Sequence, residues 1–317
     1  MASTLSEARI VAIVGPTASG KSALALEAAI RWSGEIVSCD SVQVYRGLDV
    51  GSGKPKKADQ ARVVHHLVDI LDPHQEMNAG VFVQRAAESI ADIAGRGRLP
   101  IVAGGTGLYL TALLKGLFEQ GSAISPIRSR LDALADIRGP ARLHRLLAVK
   151  DPAYAAKTNS SDRIRIVRAL EVCFSLGRPF SQAQQERQPA FLGQALIVGL
   201  HPSRDELRKR VRARVERMLA EGLVEETRRA LARVPRDGQT PRALGAIGYR
   251  EVVARMAKGE LHSGGDDELQ RAIVTSTMQY AKRQMTYFRH QLDVEWFEES
   301  GAALSRIGEW VRKESSN

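Results

Sequence analysis

Four short apolar runs rich in β-branched residues punctuate the chain, at residues 10–14, 35–39, 100–103 and 195–200. Runs of this length read as strands buried on both faces, as in a parallel sheet. Between them the period changes to that of a helix. Residues 22–29 are rich in helix formers, and residues 56–66, 81–94 and 108–115 carry helical spacing. Leu207, Val211, Val215, Met218 and Leu219 form an apolar stripe of the same period. Residues 125–147 and 161–176 read as helices that follow one another without a strand. Alternating strands and helices imply an α/β fold built on a doubly wound parallel sheet, with ligands at the carboxyl ends of its strands. The strandless stretch, residues 121–194, then reads as a helical insertion into a core formed by 1–120 and 195–317, and residues 314–317 as a loose tail.

Composition narrows the class. The 317 residues are 44% hydrophobic and 26% charged, ordinary values for a globular protein that does not live in a bilayer. No apolar run approaches the ~20 residues that span a membrane, and residues 1–9 lack the layout of a signal peptide. Cys39 and Cys173 are the only cysteines and form no C-x-x-C site, so a reduced, cytoplasmic chain is expected. The formal net charge is +10, compatible with a polyanionic partner. Residues 121–194 hold 12 Lys/Arg against 6 Asp/Glu. Within them, Arg165 and Arg168 would share a helix face while Ile164, Val167, Leu170 and Val172 pack elsewhere. That basic face is equally a solvated surface or a phosphate-backbone contact.

The sharpest local signal is Gly15-Pro16-Thr17-Ala18-Ser19-Gly20-Lys21-Ser22, which fits G-x-x-x-x-G-K-[ST]. It lies between a strand and a helix, so a P-loop NTPase-like core is expected. Loop amides and the helix N-terminus would converge on an anion, Lys21 would add positive charge, and Ser22 would reach a Mg²⁺ ion on the phosphate oxygens. Such loops serve kinases, ATPases, GTPases and some transferases, so the motif predicts a phosphorylated ligand and no particular reaction. The ends of the next two strands deliver Asp40 and the turn Gly104-Gly105-Thr106-Gly107 to the same edge. Asp40 there is a Mg²⁺ ligand, a general base or the cap of a turn. Thr106 is a ligand-facing or a structural hydroxyl.

Taken together, GPTASGKS (15–22), SCDSVQVYRGLDVGSGKP (38–55), HHLVDILDP (65–73), VAGGTGLYL (102–110), DRIRIVRALEV (162–172), AIGYRE (246–251) and QYAKRQMTYFRH (279–290) resemble, in order and over most of the chain, the bacterial tRNA dimethylallyltransferases, or tRNA isopentenyl transferase family. The resemblance implies transfer of a dimethylallyl group from its diphosphate to N6 of adenine 37 in the tRNA anticodon stem-loop, by a monomeric, Mg²⁺-dependent enzyme that hydrolyses no ATP. It gives the loop residues 15–22 to the donor diphosphate, with Arg210 and Arg214 as further candidates whose alternative is an exposed helix face. It makes Asp40 the general base and puts Thr106 beside the reacting amine. It assigns tRNA contact to Asp40, Ser41, Val42, Gln43, Thr106, Arg128, Ile164, Arg165, Ile166, Val167 and Arg168. Lys282 and Arg283 divide evenly between RNA contact and helix solvation.

The chain departs from the family pattern in four places. Residues 125–128 are shorter than the usual approach to the Arg128 position, and Asn78-Ala79-Gly80 stands where Ser-Ala-Ala is common. Gly245 replaces a frequent glutamine, and Tyr287 a frequent tryptophan. The adjacent His65 and His66 lack metal partners in sequence and read as packing or hydrogen-bonding residues. Two rival functions use the same P-loop: a nucleotide-type kinase with the arginine-rich segment 204–217 as a lid, and an RNA-binding protein with a regulatory ligand. The kinase reading leaves the later segments unexplained.

Overall fold

In the computed structural model, residues 8–116, 126–186, 189–234, 240–260 and 266–313 are described. Position 121, Ser125 and the segment 314–317 lie outside them. Six strands, β1 (Arg9–Val14), β2 (Gly34–Ser38), β3 (His65–His66), β4 (Leu99–Ala103), β5 (Gln194–Leu200) and β6 (Glu295–Phe297), form one sheet in the order β3-β2-β4-β1-β5-β6. Every pairing is parallel. Both faces of such a sheet must be covered, which is why the central strand reads Arg-Ile-Val-Ala-Ile-Val with no polar alternation.

On one face, Val11 and Ile13 of β1 pack with Leu24, Ala25 and Ala28 of helix α1 (Lys21–Arg31). The short helix α2 (Lys57–Arg62) precedes β3, and α3 (Ala79–Gly95) packs against β2 and β4. Helix α4 (Gly107–Lys115) follows β4. Chain contacts divide the molecule into a unit of residues 1–114 and 191–317 and a second unit of residues 115–190. Among the described residues of the second unit the elements are helices: α5 (Pro126–Arg138), α6 (Pro140–Lys150), α7 (Pro152–Ala155), α8 (Arg163–Leu176) and α9 (Phe180–Ala183). Its own core contains Leu131, Leu143, Leu147, Ile166, Val167, Leu170 and Phe180, and Arg163 ties α8 to α5 through Asp132 and Asp136. After β5 come α10 (Arg204–Ala220), α11 (Leu223–Ala232), α12 (Tyr249–Lys258) and the 25-residue α13 (Asp267–Gln291). Helix α14 (Ser300–Arg312) returns to the sheet, where Ala303, Leu304 and Ile307 join the β1 cluster. No helix among the described residues is long and apolar enough to cross a membrane.

Three expectations change. Residues 56–66 are not one helix: Val63 leaves helical geometry, and His65 and His66 pair with Ile36 and Val37 as an edge strand. The helical stretch from 125 to 147 breaks at Gly139, which has φ 74°, and restarts at Pro140 in the first helical position. Ile164 does not pack; it is 76% exposed, while its neighbours Ile166 and Val167 enter the core.

At the amino end of β2 the buried Glu35 accepts both Arg96 nitrogens, the Nη2 bond at 2.8 Å, and Nε2 of His66 at 2.7 Å. The Arg96 bonds above all, and those of His66, hold its carboxyl down to about 2 against 4.5 unperturbed, although burial opposes them. A depressed carboxyl contributes stability that is fully present above its unfolded pKa and lost as pH falls through its folded one. Unfolding midpoints measured from neutral pH down to about 2 should therefore fall more steeply for the wild type than for Glu35→Gln, chiefly below 4.5.

Candidate active site

The carboxyl ends of β1, β2 and β4 are stitched together by backbone bonds. Gly104 N–H donates to Ile13 O at 3.1 Å, Cys39 N–H to Ala103 O at 2.8 Å, and Thr106 N–H to Cys39 O at 3.2 Å. The approach is so close that a Cβ on Gly104 would lie 2.0 Å from Cys39 O. A cavity of about 340 Å³ opens above this edge, within the sheet-containing unit.

Its lining carries two kinds of chemistry. Among the described residues of the lining, Lys21, Arg214, Arg250 and Arg283 supply four cations, against Asp40 as the one carboxylate. Val42, Val215, Met218, Ile247 and Ile273 give an apolar wall. Lys21 is half-buried and its Nζ donates to Pro16 O at 3.2 Å. Burial first, then the neighbouring Arg214, push its ammonium down to about 8, with Asp40 pulling the other way. Burial also works against the Arg214 charge, which Asp40 supports. Tyr280 is pushed up to about 12, mainly by burial and then by Asp40, so its hydroxyl stays neutral. Burial drives the Cys39 thiol up as well, and both cysteines are free.

Asp40 begins a tight turn. Its Oδ1 accepts Val42 N–H at 2.8 Å and Gln43 N–H at 3.3 Å, so the turn-capping reading of this residue describes one of its two oxygens. Ser41, Val42 and Gln43 line the cavity with it. Thr106 stands one residue beyond the lining Gly105, and its Oγ1 accepts Ser41 N–H at 3.2 Å. Its hydroxyl thus supports the chain directly after Asp40.

Of the P-loop residues, Thr17, Lys21 and Ser22 face the cavity. The structure separates the two candidate arginines of α10. Arg214 reaches the wall and donates to Ser52 O at 3.3 Å. Arg210 lies off the cavity lining, its Nε on Glu206 at 2.7 Å and its Nη1 donating to Ser19 O of the loop at 3.2 Å. In the helical unit, the Ile166 and Val167 side chains belong to the core, 0% and 2% exposed, which leaves only their backbone for contact. Ile164 and Arg165 are exposed, Arg165 pairing with Asp162 at 3.4 Å; Arg168 is half-buried with Glu171 at 2.9 Å, and Arg128 is half-buried on α5.

Gln284 and Tyr280 are among the cavity residues that have no counterpart in the sequence assignments. Gln284 on α13 is buried; its Oε1 accepts Thr17 N–H at 2.9 Å and its Nε2 donates to Gly105 O at 2.8 Å, pinning the P-loop to the β4 turn. Tyr280 lies one turn before it. Ile273, Thr277, Tyr280 and Gln284 are spaced four, three and four apart and all face the cavity, a stripe readable in the sequence but indistinguishable there from a core face.

Residues 43–291 match the family model described as IPP transferase. The chain is 48% identical over 295 residues to the tRNA dimethylallyltransferase of Geobacter metallireducens, covering 92% of this chain and 93% of that protein. It is similar to the crystal structure of the tRNA isopentenylpyrophosphate transferase of Bacillus halodurans, with a TM-score of 0.67 and 33% identity over 97% of this chain and 96% of that one. A eukaryotic dimethylallyltransferase acting on tRNA shares the fold at a TM-score of 0.82 and 23% identity, over 97% of this chain and 80% of its own.

Proposed function

The chain belongs to the IPP transferase family, and on that footing we propose that it moves a dimethylallyl group from dimethylallyl diphosphate to N6 of adenine 37 in tRNA, releasing diphosphate. The observation that carries this reading is the mixed lining of the cavity: four cations and five apolar side chains, with a single, half-anchored carboxylate among the described lining residues.

Breaking the allylic C–O bond leaves negative charge on the diphosphate. Lys21 and Arg214 stabilise that charge as it develops, together with the free amides where α1 begins. The apolar wall takes the five-carbon group and keeps water from the allylic cation. Asp40, held by Oδ1, keeps Oδ2 for the proton that leaves the adenine amine. Thr106 fixes the peptide beside it. Oxygen donors suit Mg²⁺, and Ser22 and Asp40 both line the cavity, but no group of three His, Cys, Asp or Glu among the described residues could cage an ion. This set fits an ion held chiefly by diphosphate oxygens and water, with Ser22 as its protein ligand. Bound there it would neutralise charge on the leaving diphosphate.

The RNA substrate supplies the reason for the basic helical unit. An adenine stacked in an anticodon loop must be splayed out before N6 can reach a buried donor. Asp40–Gln43 would meet that base, and Arg128, Ile164, Arg165 and Arg168 the stem-loop backbone. This activity belongs to a monomer in the cytoplasm.

A single-turnover incubation with unmodified tRNA, Mg²⁺ and dimethylallyl diphosphate, without ATP, tests the proposal by nucleoside mass analysis. N6-dimethylallyladenosine at position 37 is expected. Its absence while a known transferase works in parallel would overturn the reading and direct attention to ATP turnover. The Lys21 ammonium adds a pH signature. In the free protein it loses its proton as pH rises through about 8, so kcat/KM for the donor should fall above that pH. At saturating donor, kcat should persist to higher pH, because bound diphosphate favours the charged form.

A further inference from the structure

Glu226 of α11 is a buried carboxylate that, among the described residues, is held without any cation. Its Oε2 accepts the N–H groups of Asp49 and Val50, at 2.8 and 2.9 Å, and its Oε1 accepts Gly51 N–H at 3.0 Å and the Tyr249 hydroxyl at 2.7 Å. Three consecutive amides of one loop therefore wrap one side chain from a helix some 175 residues away. Tyr249, at the start of α12, is wholly buried beneath the same loop. A Cβ on Gly51 would lie 2.4 Å from its ring, and its hydroxyl oxygen accepts Ser52 N–H at 3.2 Å. The loop so fixed is a wall of the cavity: Gly51, Ser52 and Gly53 line it, and Ser52 O holds Arg214. Gly53 O also accepts from Gln43 Nε2 at 3.1 Å.

We infer that Glu226 and Tyr249 are positioning residues for the donor: they set the loop 49–53, and through Ser52 O they aim the Arg214 guanidinium at the diphosphate. This rests on the proposed reading of the cavity as a diphosphate site. The charge of Glu226 matters because a carboxylate offers acceptors on both oxygens, whereas an amide offers one oxygen and one NH₂. In Glu226→Gln, whichever way the amide turns, the NH₂ meets at least one backbone N–H that previously had an acceptor. The loop must then shift, and the Ser52 carbonyl with it.

The test is a double-mutant cycle between Glu226→Gln and Arg214→Ala, read as donor KM and kcat in the tRNA assay. A positioning role predicts that Glu226→Gln raises donor KM roughly tenfold, with tRNA KM within about twofold, and that this effect shrinks to within about twofold when Arg214 is already alanine. An unchanged donor KM, or the same factor in both backgrounds, would overturn it. Inorganic diphosphate binding followed by calorimetry gives the same cycle without catalysis. It therefore distinguishes loss of this inference from loss of the transferase reading, which would show as no product from the wild type. If circular dichroism shows Glu226→Gln unfolded, Tyr249→Phe, which removes one donor and one acceptor from the clamp, replaces it in the cycle with the same criteria.

Discussion

Asp40→Asn is expected to slow single-turnover prenyl transfer by roughly 10² or more, with tRNA affinity changed by less than about threefold. The substitution isolates the chemistry. An asparagine oxygen can still accept from Val42 and Gln43, as Oδ1 does now, so the turn that presents Ser41, Val42 and Gln43 survives. What disappears is a basic oxygen facing the cavity. The adenine amine is a poor nucleophile while its lone pair is delocalised into the ring, and removing its proton acceptor should be felt in the transition state alone. Rapid-quench measurement of product, beside filter binding of tRNA, separates the two effects. Near-normal transfer would remove Asp40 from the role of base.

Gly104→Ala is expected to be the most damaging single-methyl change in the molecule's site, abolishing measurable transfer and costing about 3 kcal/mol of stability, as severe overpacking does. The new Cβ would lie 2.0 Å from Cys39 O and 2.4 Å from Cys39 C, both backbone atoms at the end of β2. Neither can swing aside as a side chain would. The ends of β2 and β4 must part, breaking the Cys39–Ala103 and Thr106–Cys39 bonds and carrying Asp40 away from the Gly105 turn. Gly95→Ala is the control, since a Cβ there meets nothing within 4 Å. Thermal unfolding of both variants, with transfer assayed below the lower midpoint, checks the pair. Wild-type stability in Gly104→Ala would show that the strand ends yield more easily than this packing allows.

What could be read from the chain depended on how far each feature's partners lie along it. β1, β2, β4 and β5 announce themselves because burial on both faces demands unbroken β-branched runs. The P-loop is equally local, since one octapeptide contains the strand end, the turn and the helix start. β3 escaped because two histidines carry no apolar signal; they are a strand only through pairing with Ile36 and Val37. β6 is three residues long, too short for any period. Arg210 and Arg214 are one turn apart beside the same buried stripe of Leu207, Val211 and Val215, so sequence assigns them the same face and only the packed helix says which reaches the cavity. Gln284 and Glu226 were invisible for a further reason. Their hydrogen-bond partners are Thr17 and Gly51, 267 and 175 residues distant, and a single glutamine or glutamate on a helix carries no mark of such a partner.

The position of β1 between β4 and β5 has a consequence for how the protein is made. A ribosome delivers β1 first, yet one of its neighbours begins at Leu99 and the other at Gln194. Through most of translation this apolar strand waits with an open edge. The helices between Pro126 and Ala183 emerge during that wait and have a core of their own to close. Sheet closure is thus a late, long-range step, slow in the manner of non-local pairing. The nascent chain should be most dependent on chaperone protection in the interval before Leu200 leaves the exit tunnel.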